Sequence, residues 1–153
     1  MTPEERREYV RTNRTAVFGH DRKDDGPAMS LVHYASDPDG TIVVSTTAGR
    51  AKTRAVSRDG KVSLCVLDEQ WPPTYLNVYC EATVDDDFDH AVDTMMRVGG
   101  AIAGQELDAS VRPLLETKAK DEGRVTIRLR PYATFATAPG QTGPEDTPAG
   151  RPW

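Results

Sequence analysis

The residues with the clearest chemical potential cluster in Ser45-Thr46-Thr47-Ala48-Gly49-Arg50-Ala51-Lys52-Thr53-Arg54. Three hydroxyls end a β-branched run, a glycine follows, and a helical stretch begins. The first turn of a helix carries unpaired N–H groups and the positive end of the helix dipole, so it attracts anions. Asp or Glu is the usual side chain there. Arg50, Lys52 and Arg54 stand near that end instead, at a penalty of a few tenths of a kcal/mol each. A phosphate among them would offset the penalty through charge-assisted hydrogen bonds. The same residues also suit a solvated helix surface. On an ideal helix Arg50 and Arg54 share a face and Lys52 points elsewhere. That pattern argues against a simple three-pronged clamp and leaves one cation for the negative end of a longer ligand.

The other chemistry-bearing residues are scattered. His20, His33 and His90 are far apart and lack metal-ligand spacing. His33 suits either a proton donor in a pocket or a packing or surface role. The acidic run 85–89 lacks the glycine and terminal Glu of a calcium-binding EF-hand loop, and a turn followed by helix N-terminal charge explains it better. There is no Gly-x-Ser-x-Gly elbow and no Walker loop. Met95 and Met96 read as core. Trp71, beside Pro72-Pro73, serves equally as a packing anchor or as a lid.

These residues must be positioned by a chain of 153 residues, enough for one domain that buries roughly 70% of its unfolded surface. Nineteen basic against 24 acidic residues give a net charge of −5, which argues against nucleic acid as a partner. No apolar run approaches the roughly 20 residues needed to span a bilayer, and Met1-Thr2-Pro3-Glu4-Glu5 is no signal peptide. The expectation is a cytoplasmic protein with no membrane partner, with Cys65 and Cys80 as reduced, buried thiols.

Thr2, Pro3 and Glu5 predict a capping box and a helix to about Val10. Strands are expected at 15–19, 29–34 and 41–47, joined by turns at 21–26 and 36–40 into an antiparallel meander. A short basic helix over 48–58 leads to strands at 61–67 and 75–84. In the latter Leu76, Val78, Cys80 and Ala82 share one face. Ala91, Val92, Met95, Met96 and Val98 recur at helical spacing. Asp108 opens a second helix, with Val111, Leu114 and Leu115 inward, ending near Gly123. A last strand covers 124–130. The fold class is mainly β (α+β): a small antiparallel barrel with peripheral helices over 1–137. The Pro-, Gly-, Thr- and charge-rich segment 138–153 is expected to be a disordered tail.

In this order, Thr15-Ala16-Val17, Pro27-Ala28-Met29-Ser30-Leu31-Val32-His33-Tyr34, Ser45 through Arg54, Val62-Ser63-Leu64-Cys65-Val66 and Gly123-Arg124-Val125-Thr126-Ile127-Arg128-Leu129-Arg130-Pro131 resemble the pyridoxamine 5'-phosphate oxidase-like split β-barrel family. The similarity is greatest to its flavin/deazaflavin-dependent oxidoreductase branch. The resemblance implies an FMN-binding-like split β-barrel and a homodimer with two cofactor sites between subunits. The cofactor phosphate would lie against Arg50 and Lys52, with Ser45, Thr46 and Thr47 lining the approach. Met29 and Ser30 would pass beside the ring, and Trp71 and Tyr75 would fall where the partner subunit covers the site. The chain departs from the family at Phe18-Gly19-His20, Ala28 and His33, positions that surround the ring or substrate there.

The implied activity is hydride transfer from a reduced deazaflavin, coenzyme F-420 (8-hydroxy-5-deazaflavin), to a small organic acceptor. Excess cations suit its anionic oligoglutamate tail. An FMN-dependent oxidase or reductase is the alternative on the same fold, and a non-catalytic deazaflavin- or haem-binding protein is a third. No residue stands out as an obligatory acid or base. That fits hydride chemistry, where the cofactor carries the difficult step, and fits the absence of catalysis equally well.

Overall fold

The protein is described by a computed structural model that covers residues 1–70, 74–137 and 151–153. Helix α1 (Pro3–Thr12) opens with the expected capping box. The Glu5 amide donates to the Thr2 hydroxyl (3.2 Å), and the Thr2 amide to the Glu5 carboxylate (2.7 Å). Strands β1 (Thr15–His20), β2 (Ala28–His33), β3 (Ala35–Ser36) and β4 (Ile42–Thr47) follow, then α2 (Ala51–Arg58), β5 (Lys61–Leu67) and β6 (Tyr75–Asp85). Helix α3 (Phe88–Ala103), a single 3-10 turn (Ala109–Val111), α4 (Arg112–Glu122), β7 (Arg124–Thr137) and β8 (Arg151–Pro152) complete the described chain.

Seven strands form one curled antiparallel sheet in the order β2-β1-β5-β6-β7-β4-β3, with β8 on β7. The fold is a half-barrel of the split β-barrel type, with four helices around it. Its concave side holds the core: Phe18, Tyr34, Ile42, Leu64, Leu76, Ile127 and Leu129 are fully buried. Leu76, Val78, Cys80 and Ala82 are all buried as their alternation predicts. Cys65 and Cys80 are both unpaired thiols. Among the described residues no helix is long and apolar enough to cross a membrane.

Four local expectations are corrected. The first three strands do not form a simple meander. The strand expected over 29–34 ends at His33. Only its continuation, Ala35–Ser36, pairs with β4, while β4 runs beside β7. The break falls at Tyr34, whose buried hydroxyl donates to the Val10 carbonyl at 2.8 Å. The last strand does not stop at 130 but passes through Pro131. There the ladder with β6 shifts register between Tyr79 and Cys80, and Tyr132 bulges out over Lys61 (4.9 Å to the ring centroid). On the other side of β7, β4 begins opposite Leu129 and β8 ends opposite Ala133. Pro131 lies between those two ladders, so neither needs the N–H that proline lacks.

The 48–58 helix starts only at Ala51, with Arg50 as its extended N-cap. Finally, Leu114 is 69% exposed rather than inward. The inward stripe of this segment is Val111, Leu115 and Ala119, spaced four apart, and Leu114 lies about 100° off it. The expected 138–153 tail falls largely outside the described residues. Of its end, Arg151–Pro152 pairs with β7 and Trp153 packs against the core and Gly40.

A chain of ions ties α3 to the sheet. Arg97 binds Asp37 (2.6 Å), Arg128 binds Asp85 (2.8 Å), and His90 Nδ1 lies 2.9 Å from Asp85. Burial opposes ionisation of Asp85, but Arg128, the Asp87 amide and His90 outweigh it and hold its carboxyl below the usual range.

Two stability outcomes are expected. Tyr34→Phe strips the Val10 carbonyl of its buried donor and lowers unfolding free energy by roughly 1–3 kcal/mol, read from urea midpoints at unchanged slope. Asp85→Asn destabilises at neutral pH by about 1 kcal/mol. A carboxylate with a depressed folded pKa contributes stability above its unfolded pKa and loses it as pH falls. The gap between variant and wild type therefore closes below about pH 4, which chemical denaturation across pH checks directly.

Candidate functional site

Strands β2 and β4 share no ladder, so the sheet is open between them. A cleft of about 370 Å³ lies at that opening, walled by β2, the end of β4, the start of α2, and α3 and α4. Its polar end is built from distant pieces of chain. β4 ends in Ser45, Thr46 and Thr47, and the Thr53 hydroxyl donates to the Thr47 carbonyl (2.8 Å), fastening α2 to the strand. The Ala48 amide donates to the Gly123 carbonyl (3.0 Å), fastening the same turn to the start of β7. Thr47 is the register partner of Arg124. Arg50, Lys52, Lys118 and Arg124 thus line one cleft together with Ser45, Thr46 and Thr47.

The charges there are only partly matched. Glu122 binds Arg124 (2.6 Å) and lies 3.9 Å from Lys118. No ion pair engages Arg50 or Lys52 among the described residues. Burial pushes the Lys52 ammonium's pKa down, and the neighbouring Arg50 charge pushes it further. The ammonium sits 5.8 Å from the centroid of the Phe18 ring. Helix α2 has no acidic residue in its first turn and no side-chain cap. Such an end favours an anion. The opposite wall is apolar, from Leu31 on β2, Met95, Val98 and Ile102 on α3, and Leu115 on α4.

Five of the residues singled out from sequence therefore come together: Ser45, Thr46, Thr47, Arg50 and Lys52. As the N-cap, Arg50 stands outside the helix, so the helical-face argument that separated it from Lys52 does not apply. Arg54 instead turns back and donates to the Gly49 carbonyl, and Arg58 donates to the Asp21 carbonyl (2.9 Å). Met29 lies elsewhere in this copy, 74% exposed on the outer face of the sheet, beside Gly19 and Ser63. Ser30 is half-buried and its hydroxyl has no hydrogen-bond partner among the described residues. Tyr75 opens β6 opposite Leu67, away from the cleft. Trp71 lies outside the described residues.

Sequence reasoning missed Lys118 and Arg124 as cleft cations and assigned Met95 to the core. The only available signal was Gly123, whose left-handed conformation (φ 61°) ends α4 and starts β7 at Arg124. His33 also lines the cleft.

Comparison with known proteins agrees with this architecture. A conserved hypothetical protein from Mycobacterium tuberculosis superposes with a TM-score of 0.73 at 21% identity, over 94% of this chain and 92% of that one. An F-420 reductase gives a TM-score of 0.64 at 20% identity, over 84% and 94%. A heme storage protein from Vibrio cholerae gives 0.62 at 14% identity, over 88% and 93%. No curated protein matches the sequence. The family model described as pyridoxamine 5'-phosphate oxidase matches residues 2–149, and the chain belongs to that family.

Proposed function

We propose that the cleft binds a phosphate-bearing flavin or deazaflavin, coenzyme F-420 in first place, and that the protein uses it as a homodimer to reduce a small organic acceptor. The observation that carries this reading is the convergence of Arg50, Lys52, Lys118 and Arg124 at one end of an apolar-walled cleft. A ligand with an anionic tail and a planar apolar body meets both ends, and the volume lies within the range of small-molecule sites. Arg50 and Lys52 would hold the phosphate, Ser45, Thr46 and Thr47 would donate to its oxygens, and Arg124 and Lys118 would meet further negative charge. When bound in reduced form, the ring supplies a hydride. The protein's part is to orient the ring and keep water off its apolar face.

The F-420 reductase among the structural neighbours favours the deazaflavin, and FMN on the same clamp is the alternative. The heme storage and heme-binding neighbours favour a second reading, in which the cleft holds a ligand without turnover.

The outer sheet face supports the dimer. Leu31, Val17, Cys65, Asn77 and Phe135 form one row across five strands. Leu31 is 63% exposed and Met29 74%. A second copy across this face would cover both and bring its own residues to the cleft rim. A stable dimer of this kind covers about 800 Å² per subunit.

Titration with F-420 and, separately, FMN should give micromolar or tighter binding of one of them. Arg50→Ala or Lys52→Ala should weaken it tenfold or more, about 1.4 kcal/mol, whereas Arg54→Ala should change it less than threefold. Unchanged affinity in both clamp variants would sink the clamp. Because an anion favours charged Lys52, affinity should fall as pH rises through the depressed Lys52 pKa, earlier than an ordinary lysine would allow. Sedimentation should report a dimer for the wild type and a monomer for Leu31→Asp. A monomeric wild type removes the second subunit from the reading.

A further inference from the structure

His33 stands where a polar chain from outside the sheet meets the cleft. The ring lines the cleft, and its Nδ1 lies 3.3 Å from the Thr15 hydroxyl. Thr15 is the register partner of His33 across β1 and β2, so the ladder fixes the pair. The Thr15 hydroxyl lies 2.8 Å from Glu69. Glu69 is in turn gripped by Arg14 through two nitrogens, at 3.3 and 3.1 Å. The Arg14 guanidinium also donates to the Ile102 carbonyl at the end of α3 (2.7 Å). Arg14, then Thr15, hold the Glu69 carboxyl below the usual range.

The proton count along this chain leaves one arrangement. An ionised carboxylate can only accept, so the single Thr15 hydroxyl proton goes to Glu69. The Thr15 oxygen is then left to accept, and its partner must be His33 Nδ1–H. The neutral ring therefore carries its proton on Nδ1 and leaves Nε2 as a lone pair. When the ring is protonated, Nε2–H becomes a donor. No partner engages Nε2 among the described residues.

We propose that His33 is the proton-transfer group of the cleft, with Thr15 and Glu69 as positioning residues that fix its tautomer and present Nε2 to the bound molecules. The inference rests on the reading of the cleft as a reductase site. In that reaction a polarised C=C or C=O of the acceptor gains a hydride at carbon from a reduced flavin or deazaflavin. The π pair moves to the far atom, which takes the proton of His33 Nε2–H. The acceptor gains two electrons and two hydrogens, the ring that gave the hydride is oxidised by two electrons, and the imidazole is left neutral and recovers its proton from solvent.

The first test needs no turnover. Imidazole ¹⁵N NMR of the protein alone, in mildly alkaline solution, should show neutral His33 as the Nδ1–H tautomer. Thr15→Val and Glu69→Gln should each move it toward Nε2–H. The second test is single-turnover reduction of an acceptor by F-420 or FMN, in its reduced form. His33→Gln should keep cofactor affinity within threefold and slow the reaction at least tenfold, with loss of the pH limb that His33 supplies. An Nε2–H tautomer in the wild type, or full-speed turnover in His33→Gln, overturns the proposal while leaving the reductase reading intact. If neither F-420 nor FMN binds the wild type, both fall together.

Discussion

Where a buried tyrosine finds its hydrogen-bond partner decides how this sheet ends. A phenol hydroxyl in an apolar core loses several kcal/mol if it loses water without replacement, and Tyr34 has none of its surface exposed. Its partner is the Val10 carbonyl in the last turns of α1. The Tyr34 amide meanwhile donates to the Arg14 carbonyl (3.1 Å), just before β1. Anchored on both sides, the chain cannot continue β2 straight into a ladder with β4. β2 stays with β1, the two-residue β3 goes to β4, and the strands diverge. The cleft is the space this divergence leaves, and helices α3 and α4 wall it without filling it.

That geometry creates an electrostatic imbalance which folding alone does not explain. Four cations line the cleft, and Glu122 partners two of them. Elsewhere the protein matches charges closely, as in the Arg97, Asp37, Arg128, Asp85 and His90 chain on α3 and the sheet. Partial burial of Lys52 beside Arg50 weakens its hold on a proton. A neutral or oppositely charged residue there would relieve the repulsion. Local rules are broken mostly where function requires it, and an anionic ligand is the partner that would restore balance.

Much of the fold was legible because its signals are local. Thr2, Pro3 and Glu5 announce α1, alternation marks β6 through Leu76, Val78, Cys80 and Ala82, and β-branched residues mark β4. The placing of Arg50 and Lys52 beside Ser45, Thr46 and Thr47 was legible as a break with helix-start chemistry. The rest depended on pairings that a linear reading does not contain. Arg124 joins the cleft because β7 lies in register with β4, and Lys118 because α4 packs against α3. The last strand was read as stopping at 130 because a proline's tolerance there depends on β4 beginning opposite Leu129 and β8 ending opposite Ala133. Arg50 was placed on a helical face because one residue decides whether it belongs to the helix or caps it.

Holding a ligand and reacting with it ask different things of one cleft. Retention needs the cations and the apolar wall, and both would work with any side chain at position 33. The ordered chain from Arg14 through Glu69 and Thr15 to His33 adds little to retention, since its links lie behind the ring rather than against the cleft. Its physical effect falls on one variable, the position of the imidazole proton. A hydroxyl fixed by a carboxylate and facing Nδ1 is a tautomer selector, and a selector matters only if the other nitrogen is used. The structural neighbours include an F-420 reductase and a heme storage protein. On the proposed reading, what separates these roles in this chain is proton position, set by His33 on β2, Thr15 on β1 and Glu69 just after β5, rather than the cleft cations.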